Sequence, residues 1–483
     1  MTKPHQPWFV RRPLPAVVDK VHLIGIAGAG MGAFASMLQD LGKEVRGSDL
    51  NVYPPMSDEL TKRGIHWMEG WDAAHLDWGP DLVIVGNVCR RDNPESVAAE
   101  ARGIAAVSFP QAFGDLFLEG RVPVVITGTH GKTTTTALTT WLLYTAGLAP
   151  GMLVGGVSRN FDATYVLGQG RPFVVEGDEY DTAWFDKGPK FLHYRPQIAV
   201  LNNIEFDHAD IYDSLEEIVE NFERLVDLMG PGTTLLVNHD DARAMGCAAR
   251  ARGAVVTYGF GEGASLRAVE VVPGPQGCDF TLLSPGNEAV RVHSALAGRH
   301  NVWNALAALG AGLSLGVPLA ALLPGLATYA GVKKRQEEKG EVGGVLVIDD
   351  YAHHPTAIDE TLAALKARYP GRRLLAVYEP KSNTARRNVH QADYARCFTH
   401  ADQAVLCRPF KKEDRFGPDE RLDVQQLVAD ITAHGTPAVY RDGSDETLSW
   451  LLLQVQPGDV VVFMSSSGFD GIHDRLLAGL RTK

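Results

Sequence analysis

Apolar positions in this chain gather into short unbroken runs: Leu82-Val-Ile-Val85, Val124-Val-Ile126, Phe173-Val-Val175, Ile198-Ala-Val-Leu201, Leu235-Leu-Val237 and, broken only by His22, Val21 to Ile24. Runs of this length without alternation are the pattern of strands covered on both faces. Helix-length stretches such as Ala33 to Leu41 separate them, and a strand ending Val45-Arg-Gly-Ser-Asp49 continues the series. Further runs follow at Val345 to Ile348, Leu374 to Val377, Ala404 to Leu406 and Val460 to Phe463. Such alternation predicts parallel sheets throughout, whose ligands gather at the carboxyl ends of the strands.

Two breaks divide the pattern: Glu119-Gly-Arg-Val-Pro123, and a charged run from Lys333 to Glu341 that reads as a solvated linker. The expected architecture is α/β with three domains: a Rossmann-like unit at 1–121, a central P-loop ATPase-type parallel sheet at 122–331, and a Rossmann-like α/β unit at 332–483. A length of 483 residues suits three cores. A net charge of −12 with no basic block argues against a nucleic-acid partner. The segment Met1 to Lys20 is proline-rich with no apolar core, so it is not read as a signal peptide, and no run is long enough for a membrane span. Five cysteines without a C-x-x-C pair read as reduced thiols of a cytosolic protein.

The strand at Val124 runs into Gly128-Thr-His-Gly131-Lys132-Thr133-Thr-Thr-Thr136, followed by a helical pattern from Ala137-Leu138. Strand, glycine loop and helix in register make a nucleoside triphosphate site. Backbone N–H groups converge on phosphate oxygens, Lys132 supplies charge, and Thr133 is placed to hold Mg²⁺. An earlier loop, Gly25-Ile-Ala-Gly28-Ala29-Gly30-Met31-Gly32, also joins strand to helix, with Ser48-Asp49 closing the next strand. Its glycine spacing does not meet G-x-G-x-x-G, and a hydride-transfer enzyme has no need of a second, ATP-type loop. A diphosphate on a nucleotide-linked substrate fits the same backbone geometry. Acidic clusters follow two buried strands, Glu176-Gly-Asp178-Glu179-Tyr-Asp181 and Asn202-Asn203-Ile-Glu205-Phe-Asp207-His208. Oxygen donors beside a phosphate loop suit Mg²⁺; surface acid is the competing reading of Asp178 and Asp181.

Taken together, these landmarks resemble the Mur ligases, the ATP-dependent enzymes of peptidoglycan assembly, over nearly the whole chain. Gly128 to Thr135 matches the family's ATP loop, Glu176 its metal glutamate and Asp207-His208 its metal histidine. Arg299-His-Asn301-Val-Trp-Asn304 matches the adenine-side motif, and Asp350-Tyr351-Ala-His353-His354-Pro355 the motif opening the third domain. The resemblance implies ATP and Mg²⁺ as cofactors, with Lys132, Glu176 and His208 catalytic. It places ATP on Gly128, Thr129, His130, Gly131, Lys132, Thr133, Thr134, Asn301, Asn304, Arg335 and Asp350, and metal on Thr133, Glu176 and His208. The first domain resembles the branch that binds UDP-N-acetylmuramate, which assigns Gly28, Ala29, Gly30, Met31, Ser48, Asp49 and Asn87 to that ligand.

Within that branch one member adds L-alanine and another the recycled murein tripeptide L-Ala-γ-D-Glu-meso-diaminopimelate. The alanine-adding enzymes carry a His-Arg-Tyr-Thr-Arg type run where this chain has Glu379-Pro-Lys381-Ser382-Asn383-Thr384-Ala385-Arg386-Arg387. Ser382 and Ala385 replace arginines that would clamp alanine's carboxylate, a group that is already an amide in the tripeptide. The resemblance therefore favours the tripeptide, with alanine as the alternative, received on Tyr351, His353, Lys381, Ser382, Asn383, Thr384, Arg386 and Arg387. Of the two adjacent arginines, one is expected to face solvent. The His353-His354 pair is read as ending a strand, one ring packed and one near substrate, rather than as a metal site. Some members hold a carbamylated lysine beyond the metal histidine; this chain has no lysine between Lys190 and Lys333, which excludes one. A monomer or weak homodimer is expected, as is closure of the third domain over the nucleotide before chemistry.

Overall fold

Every apolar run named above folds as a strand in the computed structural model, which describes residues 11–54, 56–286, 288–410 and 417–482. The first ten residues of the proline-rich N-terminal segment lie outside the described residues. Three sheets form, one per domain of a three-domain α/β chain.

The first sheet has five parallel strands, ordered His66–Glu69, Glu44–Asp49, Lys20–Ile24, Leu82–Val85 and Ala105–Ser108. Strand order reverses beside Lys20–Ile24, so the loops after Ile24 and Val85 open a crevice at the switch point. The glycine loop and Asn87 occupy those two loops. In the ten-stranded central sheet, Val122–Thr127 lies between Pro172–Glu176 and Ile198–Leu201, all parallel. Their adjacent carboxyl ends bring the phosphate loop, Glu176 and Asn202 side by side, which is why residues some fifty positions apart share a site. The third sheet has six strands, five of them parallel, with Val345–Asp350 and Leu374–Tyr378 flanking Val460–Met464.

The sheets are not parallel throughout. Leu266–Gly274, Gly277–Leu283 and Val290–Ser294 extend the central sheet as an antiparallel ladder, Ala163–Val166 pairs antiparallel with Gly151–Ser158, and Glu337–Val342 pairs antiparallel with Val345–Asp350. The tightest connections, between Gly274 and Gly277 and between Val342 and Val345, are hairpin turns too short for a parallel crossover. Gly343 and Gly344, with φ of 59° and 77°, form a two-residue hairpin turn that requires positive φ at both positions. The charged run is thus no linker: Glu337–Val342 is an edge strand, and Glu338 accepts hydrogen bonds from Arg368 (2.6 Å) and Tyr369 (2.7 Å).

Both loop helices begin earlier than their apolar periodicity indicates, at Ala29 and Lys132. The helix Lys132–Thr145 packs on Arg299–Ser314, whose inner face is Val302, Ala305, Leu306 and Leu309. At Gly310 a Cβ would lie 2.3 Å from Leu236, so glycine permits the close approach. This packing carries Asn301 and Asn304 under the phosphate loop. All five cysteines are buried and unpaired, and burial pushes the thiols of Cys89, Cys247 and Cys407 up to about 12. Among the described residues, no helix is long and apolar enough to cross a membrane.

Candidate active site

Glycines shape the phosphate loop for steric reasons. Gly128 and Gly131 have φ of 122° and 81°, and a Cβ on Gly131 would sit 2.5 Å from Asn304 Oδ1. Gly131 caps the helix Lys132–Thr145 without a side-chain hydrogen bond, so the first-turn N–H groups remain available to an anion. The loop is braced from the next strand end: Asn203 Oδ1 accepts the His130 N–H (2.7 Å), and Asn202 Nδ2 donates to the His130 carbonyl (3.1 Å).

The Lys132 ammonium donates to the Gly128 carbonyl (2.7 Å) and to both oxygens of Glu179 (3.1 and 2.9 Å). Burial alone would lower its pKa; the negative charges of Glu179 and Asp178 outweigh burial and raise it. Glu179 also faces His208, whose Nε2 lies 3.2 Å from its Oε1. One carboxylate therefore joins two of the expected catalytic residues. The sequence places Glu179 in the acidic run, three residues after Glu176, without giving it a role of its own. Burial pulls the His208 pKa down, but the hydrogen bond and charge of Glu179, with Asp207, raise it to about 9. His208 also holds a left-handed φ of 54°, strained for a non-glycine residue.

A raised histidine pKa contributes stability below the unfolded value near 6.5, and that contribution disappears as pH rises through about 9. Chemical denaturation from pH 6.5 to 9.5 is therefore expected to show a decline that is shallower in His208→Gln. Equal slopes in the two proteins would refute the His208–Glu179 linkage.

Thr133 Oγ1 donates to Glu176 Oε1 at 2.7 Å, while Glu176 Oε2 accepts the Gly155 N–H (2.6 Å). Neighbouring ligands on octahedral Mg²⁺ lie about 2.9 Å apart, so this oxygen pair fits two adjacent positions. Burial, with the charge of Asp178, raises the Glu176 pKa; a cation at this point reverses that cost. As arranged, His208 is engaged by Glu179 and must lose both that contact and its proton before binding a metal. Asp178 is not surface acid: its Oδ2 accepts from Lys190 (2.7 Å), whose ammonium stands 4.2 Å from the Tyr180 ring centroid. Asp181 pairs with the exposed Lys187 at 2.5 Å.

Asn301 and Asn304 form a buried chain, Asn304 Nδ2 donating to Asn301 Oδ1 (2.9 Å) and Thr135 Oγ1 to Asn304 Oδ1 (3.0 Å). Their side chains brace the underside of the phosphate loop while still bordering the cleft. Arg335, drawn from the supposed linker, reaches Thr133 Oγ1 (3.5 Å) and stands 4.6 Å from the Tyr351 ring centroid. Asp350 holds this turn, accepting the N–H groups of Gln336 (2.7 Å) and Ala352 (2.7 Å). Burial raises the Asp350 pKa, against the opposing charge of Arg335.

The peptide-side residues divide. Tyr351, His353 and Ser382 line the cleft. Lys381 lies over Phe410, its Nζ 4.1 Å from the ring centroid. Asn383 donates to Asp210 (2.6 Å), Thr384 Oγ1 accepts the Ala209 N–H (3.1 Å), and Arg387 donates to the Ala209 carbonyl (2.8 Å). Arg386 is buried and donates to Asn383 Oδ1 (2.8 Å), so neither arginine faces solvent. These contacts dock the third domain on the segment carrying His208. His354 is packed and caps the helix Pro355–Arg368, while His353 borders the cleft, 3.8 Å from Asp207.

In the first domain Gly28, Ala29, Gly30 and Asn87 are exposed around the crevice and Met31 is buried. Asp49 pins the loop by accepting the Ala27 N–H (2.9 Å). Ser48 turns inward: its hydroxyl donates to buried Glu95 (2.6 Å), and its carbonyl accepts the N–H groups of Gly25 (2.8 Å) and Ile26 (3.1 Å). It supports the loop from below and does not face a ligand. A cleft of about 1510 Å³ runs from Ala29 past the phosphate loop to Tyr351, touching all three domains. That exceeds the few hundred to about 1,000 Å³ of a single-ligand pocket and leaves room for more than one ligand.

The chain matches three family models: "Mur ligase family, catalytic domain" over residues 20–121, "Mur ligase middle domain" over 126–312, and "Mur ligase, glutamate ligase domain" over 334–467. It is 39% identical over 471 residues to the UDP-N-acetylmuramate–L-alanyl-γ-D-glutamyl-meso-2,6-diaminoheptandioate ligase of Escherichia coli K12, covering 96% of this chain and 99% of that one. It is 35% identical over 468 residues to the UDP-N-acetylmuramate–L-alanine ligase of Streptomyces coelicolor, covering 96% and 98%. Among solved structures it is similar to a murein peptide ligase from Psychrobacter arcticus 273-4, with a TM-score of 0.69, 33% identity and coverage of 95% and 98%.

Proposed function

The chain belongs to the Mur ligase family, and from that premise we propose that it joins UDP-N-acetylmuramate to L-Ala-γ-D-Glu-meso-diaminopimelate at the expense of ATP. The observation that carries the choice of amine is the end-to-end match to a ligase named for that tripeptide. Ser382 at the cleft wall and Ala385 buried behind it agree with this choice, because neither offers a cation to a free alanine carboxylate.

A carboxylate is a poor electrophile, so the sugar's lactyl carboxylate first attacks the γ-phosphorus of ATP, releasing ADP and leaving an acyl phosphate. The tripeptide's terminal amine then attacks the acyl carbon, and phosphate departs as the amide forms. The protein's part is positioning and charge neutralisation. Phosphates enter the glycine cradle, and Lys132 exchanges part of its contact with Glu179 for the β- and γ-oxygens. Arg335 comes from the third domain to the same side as Thr133. Thr133 and Glu176 would hold Mg²⁺, which would supply further charge neutralisation at the phosphates. The third domain closes the cleft on the His208 segment, excluding water from the acyl phosphate.

Phosphate release with ATP, Mg²⁺ and UDP-N-acetylmuramate should be measured with either amine. Turnover with tripeptide and little with L-alanine is the expected result. Turnover with alanine alone would overturn the amine assignment and leave the ATP chemistry intact, whereas no release with either amine would overturn the ligase reading.

A further inference from the structure

A second group of metal-binding side chains lies apart from Thr133 and Glu176, at the seam between the central and third domains. His130, on the phosphate loop, and Glu205 come from the central domain, and His354 comes from the third. Each offers one ligand atom, and the three atoms lie within 4.8 Å of one another. The geometry points to a divalent transition-metal site of the Zn²⁺ class, formed by His130, Glu205 and His354, that ties the third domain to the phosphate loop.

Two distances approach the edge of a tetrahedral site. His130 Nε2 is 3.0 Å and His354 Nδ1 3.3 Å from Glu205 Oε2, against about 3.3–3.4 Å between ligands held 2.0–2.1 Å from zinc. His354 is 5% exposed, and its Nε2 has no hydrogen-bond partner among the described residues, an unmet polar group at the seam. Nδ1, which faces Glu205, is the ligand atom; its long contact with the Thr356 N–H (3.4 Å) would give way to the ion.

The supports are of the kind that orient ligands. Thr356 Oγ1 donates to Glu205 Oε2 (2.8 Å), Thr129 Oγ1 accepts the Glu205 N–H (2.9 Å), and the His130 N–H is fixed by Asn203 (2.7 Å). Burial pushes the His354 pKa down to about 3, which keeps the ring neutral, as a ligand must be. Two imidazoles and one carboxylate suit a borderline ion and disfavour Mg²⁺, which prefers oxygen, so cellular Mg²⁺ does not fill this site. Three protein ligands leave a fourth position for water. The ligands come from two domains, so the ion favours the docked arrangement.

The test uses the full-length chain without an affinity tag, stripped of metal and kept in millimolar Mg²⁺. Zn²⁺ is titrated against a chromophoric chelator and Co²⁺ by its visible absorption. One ion per chain is expected, bound at least tenfold more weakly in His354→Gln and in Glu205→Gln, and unchanged in His208→Gln. X-ray absorption of the Zn²⁺-loaded wild-type protein, which needs no variant to fold, should show two imidazoles. Absence of saturable binding, a zinc shell without imidazole, or binding lost in His208→Gln but retained in His354→Gln would overturn the site.

Discussion

Replacing Lys132 with methionine should reduce kcat for phosphate release by about a thousandfold, the scale seen when a cation or donor serving a transferring phosphoryl group is removed. Lys132 is the cation that closes the glycine cradle, and in the resting site it already touches the Gly128 carbonyl and Glu179. Methionine keeps the length and apolar stem of the side chain, so the helix start should survive. The substitution also strands Glu179, now facing only His208, and losing one partner of a buried pair costs about 3–5 kcal/mol. Circular dichroism and melting must therefore accompany the kinetics. Lys132→Arg should fail to rescue, because a planar guanidinium does not fit a pocket that leaves the lysine 9% exposed. A Lys132→Met enzyme within tenfold of wild type would remove Lys132 from the chemistry.

The second large effect is on stability, far from the phosphate loop. Glu95 is fully buried beneath the first glycine loop and accepts hydrogen bonds from His22 (2.7 Å), Ser48 (2.6 Å) and His75 (2.9 Å). Burial would raise its pKa, but the His22 and Ser48 contacts outweigh burial and lower it. A depressed carboxylate contributes stability above its unfolded value near 4.5 and loses it as pH falls below that. Glu95→Ala strands the donors of His22 and Ser48 and should destabilise the first domain by about 3–5 kcal/mol. Three domains need not melt together, so hydrogen exchange in Lys20–Ile24 and Glu44–Asp49 is the sharper readout. Affinity for the UDP-sugar should fall with it, since Ser48 carries the Gly25 and Ile26 amides. Wild-type exchange rates in those strands would show that the network contributes no stability there.

What the sequence discloses here is what is local. Gly128 to Thr133 is legible because glycine, lysine and threonine act through their spacing on one loop. The buried strands are legible because a parallel sheet covered by helices needs continuous apolar runs. Glu179 is hidden because its importance lies in touching Lys132 and His208, contacts made only after three strands align. Arg335 sits in a stretch whose composition is that of a solvated surface, and a single inward residue does not change that composition. Glu95 and the inward turn of Ser48 depend on a strand and a helix meeting, and no periodicity marks the two as partners. The antiparallel margins are marked only by the two-residue gaps at Gly343-Gly344 and at Pro275-Gln276, not by the strands themselves.

The burial of every thiol has a practical consequence. Cys89 sits in the first domain, Cys247 and Cys278 in the central one, and Cys397 and Cys407 in the third, and none is exposed in the folded chain. An alkylating reagent therefore meets a silent protein until some region opens. The order in which peptides bearing these residues acquire label then reads out which domain gives way first. The chain carries its own set of unfolding reporters, one or two to a domain, with no engineering required.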